Sequence, residues 1–286
     1  MTDPVKSFLS WCNQENLQIQ ETRENPYGTQ FLVKDSQEII SIQFYRKGTV
    51  LVQGKSSALL DKIQRKYPKQ SSSVNSISCI QDHIGMDEAG KGDYFGPLVI
   101  SCAYVQKEAQ KELLKAGVKD SKEIPDKKIL QIYHEYQNKV PHETLVLMPE
   151  QYNVKYTEFL NLNNMLAWAH AQTLEQLLAR VPATIAIADQ FANPRVLEKK
   201  LFTRGKQIKL IQQPKAESDI AVAMASIFAR ALFLQGLETL QKQYNFSFPK
   251  GAYEVEQAGM DFVQKFGKEK LSHVAKVHFK TTQKIK

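Results

Sequence analysis

The chain has 286 residues, long enough for roughly two domains with a sizeable core. Its formal net charge of +8 favours a polyanionic partner, nucleic acid before anionic membrane. The three cysteines are odd in number and lack Cys-x-x-Cys spacing, which argues against a disulfide framework or a zinc site and indicates buried thiols in a reducing compartment. There is no signal pattern, and no run approaches the roughly 20 apolar residues that cross a bilayer, so we expect a cytoplasmic protein with no membrane partner.

The first 70 residues predict a small α+β module. Apolar residues recur at helical spacing from Val5 to Cys12. The remaining predicted elements are strands over 17–20, 29–34, 38–45 and 49–53, turns at 25–28 and 46–48, and a second helix ending at Tyr67 and capped by Ser56. The polar, serine-rich stretch after Tyr67 has the composition of a tether. We therefore predict an N-terminal domain over 1–70, a linker over 71–79 and a second domain over 80–286.

The second domain alternates predicted strands and helices, as an α/β protein does. Strands are predicted over 77–87, 98–105, 144–148, 183–188 and 206–212, and helices over 107–116, 159–178 and 194–201, after a capping Asp126 and after Asp219. The run 183–188 is continuously apolar, as expected for a strand buried on both faces. Ala221, Ala225 and Ala229 are small enough to let the helix after Asp219 sit tightly on a sheet.

Asp87 and Glu88 close an apolar run and precede a glycine-rich loop. The residues 87–97 read Asp-Glu-Ala-Gly-Lys-Gly-Asp-Tyr-Phe-Gly-Pro. Acids at a strand end that face a flexible basic loop suggest a hard cation beside a phosphate. A plain hairpin with a solvated acid pair explains the same residues, so this loop alone leaves both interpretations open.

Three further acids stand where ligands or helix caps are found. Asp189 ends the buried strand, at the edge where open α/β sheets place ligands, although it could also be a turn or cap residue. Glu217 and Asp219 stand at the start of a helix, where the dipole favours negative charge, and either could be only a capping acid. The lysine-rich stretch from 264 to the end predicts a solvated tail that also supplies charge for phosphate contacts.

The loop at 87–97 resembles the signature of bacterial ribonuclease HIII, a relative of ribonuclease HII that cuts the RNA strand of RNA/DNA hybrids. Similar motifs follow at 119–122 (Lys-Asp-Ser-Lys), at 214–230 (Pro-Lys-Ala-Glu-Ser and a small-residue helix) and at 277–282 (Val-His-Phe-Lys-Thr-Thr). The N-terminal module resembles the TATA-box-binding-protein-like domain that assists substrate binding in ribonuclease HIII and that ribonuclease HII lacks. Met224 departs from the small residue usual in the family's helix, which bears on local packing.

The resemblance implies a fold and a site. The fold is α/β, a ribonuclease H-like mixed sheet flanked by helices and preceded by the small α+β domain. Catalysis would use Mg²⁺ or Mn²⁺, two ions per site, with Asp87 as the shared ligand and Glu217 aligned in preference to Asp219. The implied metal-binding and catalytic residues are Asp87, Glu88, Asp189 and Glu217. The implied substrate-binding residues are Gly90, Lys91, Gly92, Lys122 and Ser226.

The implied function is an endoribonuclease that hydrolyses the RNA strand of RNA/DNA hybrids in DNA replication and repair, leaving 5′-phosphate and 3′-hydroxyl ends. We expect a monomer with no obligate protein partner. Lys91 stands where ribonuclease HII has arginine, so we expect cleavage within RNA tracts and weak action at a lone ribonucleotide in DNA. The alternatives are ribonuclease HII-type incision at single ribonucleotides and a non-catalytic nucleic-acid-binding protein.

Overall fold

A computed structural model describes residues 4–25, 28–34, 38–45, 50–54, 57–67 and 81–285. The chain divides into two compact units, Met1–Ser76 and Ile77–Lys286. The linker expected over 71–79 and the turn at 46–48 lie outside the described residues and stay predictions.

The first unit is a four-stranded antiparallel sheet in the order β1-β2-β3-β4, with one face packed against two helices. Its elements are α1 (Pro4–Gln14), β1 (Gln18–Asn25), β2 (Gly28–Lys34), β3 (Ile39–Tyr45), β4 (Val50–Gln53) and α2 (Ala58–Lys66). Alternate strand residues such as Phe31, Ile42 and Phe44 are buried against Phe8 of α1. The cap of α2 is Ser57 and not the predicted Ser56, since the Ser57 hydroxyl accepts from the Leu60 amide at 3.1 Å. The predicted helix, strand meander and helix are therefore confirmed.

The second unit is built on a five-stranded mixed sheet in the order β7-β6-β5-β8-β9. The strands are β5 (His83–Ala89), β6 (Leu98–Val105), β7 (His142–Leu147), β8 (Ile185–Asp189) and β9 (Lys209–Gln213). Strand β5 pairs antiparallel with β6 and parallel with β8, which confirms the expected mixed α/β sheet. The parallel pairing places the ends of β5 and β8, with Asp87 and Asp189, at the same edge.

Helices flank the sheet, and one of them begins later than the sequence predicts. They are α3 (Gln110–Lys115), α4 (Asp126–Tyr136), α5 (Pro149–Phe159), α6 (Leu162–Leu178), α7 (Pro194–Glu198), α8 (Ile220–Tyr244) and α9 (Glu256–Phe266). The helix predicted over 159–178 starts later, because Leu160 adopts a left-handed conformation (φ 51°) that ends α5, and Asn161 caps α6. Helices α5 and α9 were missed by the sequence analysis.

Helix α8 lies against β5 at very short range. A Cβ atom at Gly85 would stand 2.0 Å from the backbone of Ala221 and of Val222, so only glycine fits there. Ala221, Ala225 and Ala229 are fully buried in α8, as their small size predicts. The close approach fixes the start of α8 beside the strand that carries Asp87.

The expectation that no segment could cross a bilayer needs a correction. Helix α8 has 25 residues and a mean hydropathy of 1.8 over its most apolar window. By length and composition alone, it could cross a membrane. That window is 72% buried inside the protein, as is typical of the core helix of a soluble protein.

The lysine-rich C-terminal stretch is not the solvated tail that its composition predicts. Leu271, Val274, Lys276 and Ile285 are buried. The apolar residues pack into the same cluster as Phe95 of the glycine-rich loop. Their apolar contacts outweigh the charge of the surrounding lysines, so the segment folds back onto the domain.

We predict that Gly85→Ala lowers the free energy of unfolding by about 3 kcal/mol, because the added methyl group overlaps the α8 backbone. Urea unfolding measures this. Gly92→Ala is the control, since a Cβ at Gly92 meets no atom within 4 Å. Equal stability of the two variants would contradict the close packing.

Candidate active site

A cavity of about 510 Å³ opens at the edge of the sheet where β5 and β8 end. The predicted site residues that line it are Asp87, Glu88, Gly90, Lys91, Gly92, Lys122 and Asp189. Glu217 instead lines a neighbouring cavity with Asp120 and Glu123. Ser226 is buried and does not line the larger cavity.

Asp87 is held at the end of β5 by groups that donate to its carboxylate. The Glu88 amide donates to Oδ1 at 2.8 Å, and the Ser226 hydroxyl donates to the same side chain. Ser226 Oγ in turn lies 2.6 Å from Ser121 Oγ. Ser226, which was predicted to bind substrate, therefore holds the Asp87 side chain in place. Burial and the charge of Glu88 raise the pKa of Asp87 to about 8. A nearby cation would stabilise its ionised form.

Each carboxylate oxygen of Glu88 contacts a basic side chain. Lys91 Nζ donates to its Oε1 at 3.3 Å, and Nε2 of His170 on α6 lies 3.1 Å from its Oε2. Although burial raises the pKa of Glu88, these two partners outweigh burial and lower it. His170 is itself buried and stacks on Phe191. Sequence reasoning missed His170, because one histidine on a helix carries no signal of its distant partner.

Asp189 and Glu217 are linked through the turn before α8. Asp189 Oδ1 accepts from the Ala216 amide at 3.2 Å, next to Glu217. Although burial lowers the pKa of Lys122, the charges of nearby acids, Asp120 first and then Asp87, Glu217 and Asp189, raise it. The Lys122 ammonium therefore lies within electrostatic reach of three of the four predicted ligands.

Three of the four predicted carboxylates meet at one cavity, but they do not form a ready coordination sphere. Across the described parts of the chain, no group of three or more His, Cys, Asp or Glu side chains is placed to hold a metal ion. Three of the acids are instead held by partners of their own: Asp87 by the Glu88 amide, Glu88 by His170 and Asp189 by the Ala216 amide. The structure thus brings Asp87, Glu88 and Asp189 to one cavity and leaves Glu217 beside it.

Lys276 holds the glycine-rich loop by hydrogen bonds to its backbone carbonyl oxygens. Its side chain is fully buried, and its ammonium donates to the carbonyl oxygens of Asp93 at 2.9 Å and Gly96 at 2.7 Å. Burial lowers its pKa to about 7. Because it is buried, Lys276 supports the loop and offers no charge to a phosphate, so the prediction of phosphate contacts is wrong for this lysine.

A buried ion pair joins the start of β5 to the start of α8. Asp219 caps α8 by accepting from the amides of Ala221 and Val222 at 2.9 and 3.1 Å. His83 Nε2 lies 3.0 Å from both carboxylate oxygens of Asp219, and Nδ1 lies 3.0 Å from the Gln81 carbonyl oxygen. Both ring nitrogens face acceptors, which favours the imidazolium. Asp219 is therefore the capping acid of the two that the sequence left open.

Comparison with known proteins places the chain in a family. The ribonuclease HII family model matches residues 84–282. Ribonuclease HIII of Protochlamydia amoebophila is 37% identical over 261 residues, covering 87% of this chain and 85% of that protein. Ribonuclease HIII of Chlamydia pneumoniae is 36% identical over 296 residues, covering 100% of this chain and 99% of that protein. The chain belongs to the ribonuclease HIII family.

A solved structure extends the likeness to both units of this ribonuclease HIII. The crystal structure of Bst-RNase HIII in complex with Mn²⁺ has a TM-score of 0.68 and 30% identity, covering 100% of this chain and 96% of that one. The chain is thus a ribonuclease H-type endoribonuclease, a hydrolase, with a metal-binding function implied by its family.

We predict that the stability contributed by His83 depends on pH. Although burial lowers the pKa of His83, the hydrogen bond and charge of Asp219 raise it above 6.5. A raised pKa means that the contribution is complete below pH 6.5 and is lost as the pH rises through the folded-state pKa. His83→Gln should therefore cost about 3 kcal/mol at pH 6 and less at pH 9.

Urea unfolding of wild type and variant across this range measures the difference. His134→Gln, at an exposed position of α4, is the control and should show a small cost at every pH. A cost for His83→Gln that stays constant from pH 6 to pH 9 would contradict the imidazolium.

Proposed function

We propose that this ribonuclease HIII hydrolyses the RNA strand of RNA/DNA hybrids within RNA tracts, leaving 5′-phosphate and 3′-hydroxyl ends. The observation that carries the proposal is the cavity in which Asp87, Glu88 and Asp189 face the glycine-rich loop. The family supplies the reaction class, and the site supplies oxygen ligands beside a loop that a phosphodiester backbone can approach.

The donor chemistry of the site fits Mg²⁺ or Mn²⁺. Carboxylate oxygens are the ligands that these ions prefer. Burial raises the pKa of Asp87 and so disfavours its ionised form, which a bound cation would stabilise. We infer that Asp87, Glu88, Asp189 and Glu217 hold two divalent ions. Such a pair, when bound, activates a water molecule and stabilises the leaving oxygen. Lys122 is positioned to offset part of the carboxylate charge.

The glycine-rich loop is our candidate for hybrid recognition through the minor groove. Gly92 has open space where a side chain would be, so a ribose can approach its backbone. Gly90 is required by the backbone of the turn, because its φ is 85° and a Cβ would lie 2.1 Å from the Pro97 carbonyl oxygen. Lys91 lies at the cavity and is 36% exposed, so its ammonium can leave Glu88 for a phosphate. Lys122 is the second such lysine, whereas Ser226 would act through Asp87.

The N-terminal unit would assist substrate binding. One face of its sheet packs on α1 and α2, and the other carries polar side chains such as Gln30 and Ser41, which hydrogen-bond to each other at 2.8 Å. We further propose that the protein acts as a monomer in the cytoplasm, in DNA replication and repair.

We predict that Asp189→Asn lowers hybrid cleavage at least about a hundredfold in Mn²⁺ or Mg²⁺, because removal of a metal ligand costs several kcal/mol of transition-state stabilisation. Initial rates on a labelled hybrid measure this. Asp261→Asn is the matched control, since Asp261 is exposed on α9. Unchanged turnover of Asp189→Asn would rule out catalysis by this cluster, and binding without any cleavage by wild type would favour the non-catalytic alternative.

The choice of substrate is a separate prediction. A hybrid with a continuous RNA strand should be cut at several positions, whereas a DNA duplex with one embedded ribonucleotide should be cut far more slowly. Gel analysis of both substrates under the same metal and salt conditions measures the ratio. Efficient incision at the single ribonucleotide with little cutting of the long hybrid would assign ribonuclease HII-type specificity instead.

A further inference from the structure

Asp126 is shared by two cations. Its Oδ1 accepts from Arg230 Nε at 3.3 Å and Nη2 at 3.2 Å, and its Oδ2 accepts from the Lys250 ammonium. The exposed fraction of the side chain is 36% for Asp126, 24% for Arg230 and 47% for Lys250. The sequence predicted Asp126 as a helix cap, but Pro125 is the cap residue of α4 and the carboxylate turns to these cations. Two positive charges on one negative charge leave an excess of one.

The cluster adjoins the candidate active site. Asp126 and Arg230 line the same cavity as Asp87 and Asp189. The Arg230 guanidinium lies 5.1 Å from the centre of the Phe233 ring, which packs beneath the glycine-rich loop.

Gly251, the residue after Lys250, is hydrogen-bonded to the glycine-rich loop. The Gly251 amide donates to Asp93 Oδ1 at 2.7 Å, and the Gly251 carbonyl oxygen accepts from the Tyr94 amide at 2.8 Å. Both cations therefore have set positions relative to the loop that would meet the substrate.

The excess positive charge around Asp126 matters for substrate binding because the cavity itself is acidic. Five acidic and three basic side chains line it, so the cavity as a whole repels a nucleic-acid backbone. Lys91 is paired with Glu88, and Lys122 lies among several carboxylates. At Arg230 and Lys250, in contrast, cations outnumber acids, and a guanidinium can bind a phosphate through two parallel hydrogen bonds.

We propose that Arg230 and Lys250 bind a backbone phosphate of the nucleic acid beside the scissile site, in competition with Asp126. When the phosphate binds, the guanidinium and the ammonium exchange the Asp126 carboxylate for phosphate oxygens, and the carboxylate is released to water. Asp126 thus weakens substrate binding while it orders the free protein. The inference rests on the proposed action on RNA/DNA hybrids.

The test is the affinity of the full-length protein for a fluorescent RNA/DNA hybrid, measured by anisotropy in a chelator at several salt concentrations. Arg230→Gln and Lys250→Gln should each weaken binding about threefold to tenfold and lower the slope of log affinity against log salt by about 1. Asp126→Asn should strengthen binding about threefold to tenfold, since the phosphate no longer competes with a carboxylate.

Matched controls separate a local effect from net charge. Arg180 and Glu143 form an ion pair of the same type, and neither lines the cavity. Arg180→Gln should leave the salt slope unchanged, and Glu143→Gln should not strengthen binding. In the Arg230→Gln/Lys250→Gln background, Asp126→Asn should lose its effect, because the cations that it frees are no longer present.

Weaker or unchanged binding by a folded Asp126→Asn variant would overturn the inference. An equal gain from Glu143→Gln, or a gain that persists in the double-variant background, would also overturn it. If melting curves show that Asp126→Asn does not fold, Lys250→Gln decides, and an unchanged salt slope then contradicts the inference. Absence of hybrid cleavage by wild type in Mn²⁺ would instead contradict the proposed function, whatever these affinities are.

Discussion

The packing of α8 against β5 is the contact on which the site depends. Gly85 permits it, because any side chain there would overlap the backbone at Ala221. The buried His83 and Asp219 pair joins the same two elements, one at each of their starts. Together these contacts fix the turn with Glu217 relative to the strand end with Asp87. A small error in this packing would move acidic groups that are far apart in the sequence.

The second constraint is electrostatic. Burial, and after it the charge of Glu88, raise the pKa of Asp87 to about 8. The protein offsets part of the repulsion with Lys91, Lys122 and His170. Those partners offset only part of the charge, because five acidic and three basic side chains line the cavity. Substrate binding then needs positive charge beyond that of Lys91 and Lys122, which Arg230 and Lys250 can supply.

The sequence predicted the architecture well where local patterns reflect long-range structure. Strand β6 has its predicted limits, and the apolar run ending at Asp189 is the expected buried strand. The break at Leu160 could not be predicted, because a left-handed residue without glycine depends on tertiary packing. The burial of Lys276 was missed for a similar reason, since composition alone gives no sign of the carbonyl groups that surround its ammonium. The roles of the four acids as ligands remain predictions.

The most direct test of the account is a crystal of the protein soaked in Mn²⁺, with the ion located by anomalous scattering. We expect Mn²⁺ bound to Asp87 and to at least two more of Glu88, Asp189 and Glu217, at carboxylate distances of about 2.0–2.2 Å. Mn²⁺ bound only at other carboxylates, or a Glu217 side chain that stays out of reach of the ion at Asp87, would contradict it.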